Sequence, residues 1–171
     1  MSMAGTFKDL RILLVDDNPH MRTIIATVLK GLGIKETIEA SDGSRALELM
    51  RQRSADVAFV DFLMQPMDGV DFTRAVRASE DEKIRFLPII MLTGHAHRHR
   101  VAEARDAGVT EFMVKPITAK AVLDRLNAVV FRPRPFIKAE TYFGPDRRRI
   151  SGPPPGPERR ADRLTRGVAE I

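Results

Sequence analysis

Short, uninterrupted apolar runs recur along the chain at residues 12–15 (Ile-Leu-Leu-Val), 57–60 (Val-Ala-Phe-Val), 89–92 (Ile-Ile-Met-Leu) and 112–114 (Phe-Met-Val). Runs of this length and β-branched content predict strands buried on both faces, as in a parallel sheet. A fifth run at 37–40 is more polar and predicts an edge strand. Between them, apolar residues fall at helical spacing: Met21, Ile24, Ile25, Val28 and Leu29; Ala46, Leu47 and Met50; Val70, Phe72, Ala75 and Val76; Val101, Ala104 and Ala107; Val122, Leu123, Leu126, Val129 and Val130. The punctuation agrees. Pro19 opens the first helix and Gly31 and Gly33 close it, Asp42-Gly43 and Gly69 precede the next two, and Gly108 ends the fourth. Strand and helix alternate five times, which predicts an α/β fold: a flavodoxin-like, doubly wound, five-stranded parallel sheet with helices on both faces.

Composition divides the chain unevenly. Residues 1–130 hold 18 Lys+Arg against 18 Asp+Glu, whereas residues 131–171 hold 10 against 5 together with seven of the eleven prolines. The expected organisation is a leader at 1–8, a packed domain at 9–130, and a weakly structured basic, Pro-rich tail at 131–171. The absence of cysteine excludes disulfides and thiolate chemistry and fits a reducing compartment. No apolar stretch approaches the roughly 20 residues needed for a bilayer span, and the start lacks a signal-peptide pattern. The expectation is a cytoplasmic protein without membrane insertion.

Candidate chemistry sits directly after the apolar runs: Asp16-Asp17, Asp61, Thr93 and Lys115-Pro116. In open parallel sheets ligands bind at the carboxyl ends of the strands, so the topology gathers these residues at one edge. Three carboxylates there repel one another and persist as anions only with a cation among them. Mg²⁺ suits them, being a hard ion held by one or two carboxylates and a phosphate. Lys115 adds a point charge for a phosphate oxygen, and Thr93 adds a hydroxyl donor. Asp61, at the end of the central strand, is the candidate nucleophile, since a carboxylate can attack phosphorus to give an acyl phosphate. Any one aspartate after a strand is equally a helix cap. The ordered set is what points to phosphoryl transfer.

At these spacings the set resembles the receiver domain of bacterial two-component response regulators, the CheY-like family, over about residues 9–130. The resemblance implies that Asp16 and Asp17 form the acidic pocket, Asp61 is the phosphoacceptor, and the Leu63 carbonyl completes the Mg²⁺ shell. It further implies that Thr93 is the switch hydroxyl and that Lys115, before a cis Pro116, grips the phosphoryl group. Phe112 matches the switch aromatic, which turns inward when Thr93 moves, reshaping the surface of the fourth helix, fifth strand and fifth helix. By the same resemblance the protein is a single-domain switch that catalyses only its own phosphorylation and dephosphorylation. It takes phosphate from a sensor histidine kinase or histidine phosphotransfer protein, acts on a downstream protein target, and can homodimerise. A phosphate sink or relay intermediate without a target is the nearest alternative. Leu63 and His95, each two positions beyond a site residue, line the route of attacking water in this family, and an apolar Leu63 is expected to slow hydrolysis. One departure is the proline of Met64-Gln65-Pro66-Met67-Asp68-Gly69, displaced by one from the family pattern.

Two features remain open. His95, His97 and His99 lie among arginines, and His95 and His99 are spaced to share a helical face, so a metal site stands against a solvated basic face. In the tail, Tyr142 and Phe143 are candidates to anchor on a hydrophobic surface while Arg147, Arg148 and Arg149 meet acidic groups or phosphates. Against this stands a disordered, solubilising tail. Nucleic-acid binding through the tail is electrostatically possible, but no helix-turn-helix or aromatic-bearing sheet supports it. A phosphatase of the Asp-nucleophile class would carry a second Asp where Leu63 stands, and a flavodoxin would not place Asp16-Asp17 at its phosphate loop.

Overall fold

The computed structural model describes residues 5–148 and the backbone of two short strands beyond them. Five strands, β1 Arg11–Val15, β2 Glu36–Ala40, β3 Val57–Asp61, β4 Ile89–Thr93 and β5 Glu111–Val114, form a parallel sheet in the order β2-β1-β3-β4-β5. β2 is an edge, as its polarity predicts, and β3 is central. The order reverses between β1 and β3, which places the crevice over their carboxyl ends.

The helices are α1 Pro19–Gly31, α2 Gly43–Gln52, α3 Gly69–Arg77, α4 Glu82–Arg85, α5 Val101–Ala107 and α6 Ala119–Phe131. Side-chain caps from Asn18, Asp42, Asp68, Asp81 and Thr118 start five of them, each satisfying an otherwise orphaned first-turn amide. Gly108 ends α5 at φ 107°, a left-handed position open to glycine. The sheet separates two apolar layers. One holds Leu13, Val60, Phe72 and Met91 beneath α2, α3 and α5, and the other holds Ile12, Phe59, Ile25 and Leu126 beneath α1 and α6. No helix among the described residues is long and apolar enough to cross a membrane.

The fourth helical pattern is α5, preceded by a 3-10 turn at His95–Arg100. Two expectations are corrected. The leader boundary fails at Phe7, whose ring is 1% exposed and lies 5.9 Å from Phe131. A lone aromatic among polar residues carries no periodicity, yet burying it contributes about 2 kcal/mol.

The weakly structured tail is corrected over its first part. β6 Phe136–Ala139 and β7 Tyr142–Pro145 form an antiparallel hairpin, and β9 Val168–Glu170 pairs parallel to β6 and antiparallel to β8 Leu164–Thr165. The hairpin folds because the domain gives it an aromatic seat: Phe136 and Phe143 pack on Phe86 at 4.9 and 5.4 Å. Beneath Phe136 lies Arg77, 6% exposed, its guanidinium 4.9 Å from the ring. Arg77 donates to the carbonyls of Gly108 (3.0 Å), Arg85 (2.8 Å) and Leu87 (2.8 Å). Burial pushes its pKa down, but three carbonyl acceptors keep the charge tolerable at neutral pH. Arg77 ties α3, α4 and α5 to the hairpin.

Candidate functional site

Asp61 is the last residue of β3, and Asp16 and Asp17 follow β1 directly. Neighbouring parallel strands in register bring their carboxylates together, with ligand oxygens of all three within 4.8 Å of one another. Asp16 and Asp61 are buried and Asp17 is exposed. From the far side of the sheet Lys115, just past β5, reaches Asp61 Oδ1 at 2.9 Å and Asp16 Oδ2 at 4.0 Å. Its amide donates to the Thr93 carbonyl at 2.8 Å, tying the ends of β4 and β5. Thr93, 4% exposed, ends β4 beside Asp61. The five residues predicted from the sequence therefore converge at one edge.

The electrostatics show what the cluster lacks. Desolvation raises the Asp16 carboxyl from 3.8 to about 6; the charges of Asp61 and Asp17 add to this, while the Asn18 amide and Lys115 oppose it. Asp16 Oδ1 accepts from the Asn18 amide at 2.9 Å, but Oδ2 is buried with no hydrogen-bond partner. One ammonium facing three carboxylates, with an orphaned oxygen among them, fits a hard divalent cation. A further residue not anticipated from the sequence, Arg22, holds the β1 loop by donating to the Asp16 carbonyl (2.6 Å) and to Glu39 (3.2 Å). Its only sequence signal was a cation on the first turns of α1, which is commonplace.

The loop carrying Leu63 follows a fixed path despite the displaced proline, whose Gln65-Pro66 bond is cis, as is Lys115-Pro116. The Gly69 amide donates to the Phe62 carbonyl at 3.1 Å. A Cβ on Gly69 would stand 2.4 Å from the Asp61 carbonyl oxygen, so only glycine lets the loop close against the end of β3. Leu63 is 47% exposed at the site's mouth. Phe62 is covered by His97, stacked at 5.2 Å and 11°, and by Arg100 at 4.7 Å. Among the described residues the aspartates are the one metal-capable cluster.

Phe112 is half-buried, packs on the core, and its carbonyl accepts from Arg125 Nε at 2.6 Å. The tail candidates divide. Phe143 seats against Phe86 of the protein's own domain, while Tyr142 is buried with Ile137 within the hairpin and donates to the Pro145 carbonyl at 2.7 Å. The Arg147 guanidinium bonds Asp106 and lies 4.5 Å over the Tyr142 ring. Arg148 is exposed, and Arg149 lies outside the described residues.

Comparison with known proteins agrees with this geometry. Residues 12–127 match the response regulator receiver domain. Chemotaxis protein CheY of Pseudomonas aeruginosa is 40% identical over 123 residues, 72% of this chain and 98% of its own. Chemotaxis protein CheY-3 of Vibrio cholerae is 38% identical over 125 residues, 73% of this chain and 95% of its own. Among solved structures, chemotaxis response regulator CheY4 of Vibrio cholerae aligns with a TM-score of 0.64 at 31% identity, covering 71% of this chain and 98% of that one. The receiver domain of a sensor histidine kinase from Pseudomonas aeruginosa, with a magnesium ion coordinated in its active-site cleft, aligns at 0.62 and 30% identity, covering 69% and 94%. A match spanning the whole five-stranded sheet, with relatives covered almost end to end, makes the conclusion plain: the chain belongs to the response regulator receiver domain family, the CheY-type switches of two-component signalling whose general function is to be phosphorylated by a kinase.

Proposed function

We propose that Asp61 accepts a phosphoryl group from the phosphohistidine of a sensor histidine kinase or phosphotransfer protein, and that the modified protein signals through altered contact with a downstream protein. The observation that carries this reading is the 2.9 Å pair between Lys115 Nζ and Asp61 Oδ1 inside the carboxylate cluster. Asp16, Asp17, Asp61 and the Leu63 carbonyl would hold Mg²⁺, which when bound supplies positive charge for the phosphoryl oxygens. An Asp61 oxygen attacks phosphorus; the phosphorus–nitrogen bond to the donor imidazole breaks, and its electron pair stays on that nitrogen. Lys115 neutralises the added charge on the acyl phosphate, and the Thr93 hydroxyl donates to a phosphoryl oxygen. Thr93 and Phe112 then carry the change to the surface of α5, β5 and α6.

Amide spectra of the full-length chain titrated with Mg²⁺ and then acetyl phosphate test this. The expected result is a second set of shifts at Thr93, Phe112 and Lys115 that is absent from Asp61→Asn. Identical responses from wild type and Asp61→Asn would exclude Asp61 as the acceptor.

A further inference from the structure

Leu63, whose carbonyl would complete the Mg²⁺ shell, makes no hydrogen bond among the described residues, and its side chain is 47% exposed. Its place is therefore set by its buried neighbours, Phe62 and Met64. Phe62 is tied at three points: its amide donates to the Leu92 carbonyl at 3.1 Å, its carbonyl accepts from the Gly69 amide at 3.1 Å, and its ring is fully buried.

Part of the cover over that ring comes from the 3-10 turn that follows Thr93 and Gly94. The His97 imidazole lies nearly parallel to it, at 11° with 5.2 Å between centroids, an offset stack. The Arg100 guanidinium stands 4.7 Å from the same ring, within cation–π range. The turn is closed by the His97 amide, which donates to the Gly94 carbonyl at 3.1 Å. Arg100 is in turn fixed by Glu103 at 3.0 Å and reaches Asp68, the cap of α3, at 3.8 Å. The turn thus touches the loop that carries Leu63 at both ends, Phe62 and Asp68. His97 Nδ1 is buried without a hydrogen-bond partner. An unanswered ring nitrogen costs free energy, so packing on Phe62, not polar pairing, holds the imidazole there.

We propose that His97 and Arg100 are positioning residues of the metal site: by clamping Phe62 they aim the Leu63 carbonyl, and they tie Mg²⁺ affinity to the position of the turn after Thr93. This rests on the reading above that the Leu63 carbonyl completes the Mg²⁺ shell. Mg²⁺ demands near-ideal octahedral geometry, so a carbonyl that is held contributes more than one free to swing. Turn and metal are then linked, each changing the other's equilibrium by the same factor.

The test uses isotope-labelled full-length protein without a phosphodonor. MgCl₂ is titrated while the Asp17 and Leu63 amides are followed, and exchange of the Gly69 amide, which reports closure of the loop, is measured in EDTA. His97→Ala should weaken Mg²⁺ binding about tenfold and speed Gly69 exchange severalfold. His97→Phe keeps a flat ring on Phe62 and should return both to within about twofold of wild type. Arg100→Lys keeps the charge, loses the flat guanidinium, and should fall between wild type and His97→Ala. Both side chains are only partly buried, so these variants fold. Urea midpoints in EDTA separate the roles, since a merely structural residue would lower the midpoint and leave the Mg²⁺ affinity of the folded protein unchanged. Unchanged affinity and unchanged Gly69 exchange in His97→Ala would overturn the proposal. So would a loss in His97→Phe equal to that in His97→Ala. Mg²⁺ shifts at Asp17 but not at Leu63 in wild type would sink the reading of that carbonyl as a ligand, while Gly69 exchange, measured without metal, still decides the clamp.

Discussion

Between about pH 4 and 6 Asp16 keeps a proton in the folded protein that it would lose in water. Its carboxyl is raised from 3.8 to about 6, chiefly by desolvation. Between about pH 4 and 6 the unfolded chain has released this proton and the folded chain has not, so stability falls as pH rises through that window and levels off above it. The loss is on the order of 2–3 kcal/mol. Urea midpoints in EDTA should show this fall in wild type but not in Asp16→Asn, and Mg²⁺, taking the proton's place, should abolish it. A wild-type profile parallel to that of Asp16→Asn would contradict the assignment.

Two other single residues make sharp tests. Gly69→Ala sets a methyl against the Asp61 carbonyl oxygen, a backbone atom that cannot step aside. It should cost about 2–3 kcal/mol in thermal or urea unfolding and weaken Mg²⁺ binding. Leu63→Asn replaces an exposed apolar side chain at the mouth of the site with one that can orient water. Loss of phosphoryl label should quicken severalfold, and an unchanged half-life would remove Leu63 from the hydrolytic path. These aspartates, Thr93 and Lys115 were legible in the sequence because each is tied to the end of an apolar run. Arg22 and Gly69 were not assigned their roles, because what they touch belongs to other elements.

Among the elements, the β6–β7 hairpin departs furthest from expectation. Its arginines and prolines give a composition of disorder, yet Phe136, Ile137 and Tyr142 are buried. What the composition hid is that the partner surface is the domain itself: Phe86, Arg85 and Arg77. Truncation after residue 131 should therefore destabilise the protein, exposing the Phe86 ring and uncovering Arg77, with thermal unfolding several degrees lower. Equal midpoints for truncated and full-length protein would show that the hairpin contributes nothing. Arg77 itself offered a sequence signal, since it lies seven residues after Val70 on the apolar face of α3. Arg77→Ala should cost about 3 kcal/mol by leaving the carbonyls of Gly108, Arg85 and Leu87 unanswered.

For the whole molecule, α5 packs on β7, so the hairpin touches the helix that follows the end of β4, where Thr93 sits. The chain holds one tyrosine and no tryptophan, and that tyrosine, Tyr142, lies under Arg147. Its fluorescence is thus a reporter of hairpin position. With Mg²⁺ and acetyl phosphate the emission should change in wild type and stay constant in Asp61→Asn; constancy in both would uncouple the hairpin from the site.

By itself the sequence determined the parallel five-stranded sheet, its site-bearing edge and the convergence of Asp16, Asp17, Asp61, Thr93 and Lys115. These depend on local periodicity and on a topology with few alternatives, so each residue's place follows from its position along its own strand. Tertiary structure alone decided that Phe7 and the hairpin belong to the packed unit, that Arg77 is buried, and that His97 and Arg100 lie against Phe62. Each of those depends on contacts between segments distant in the chain, where burial of a few aromatic rings outweighs a composition that favours exposure.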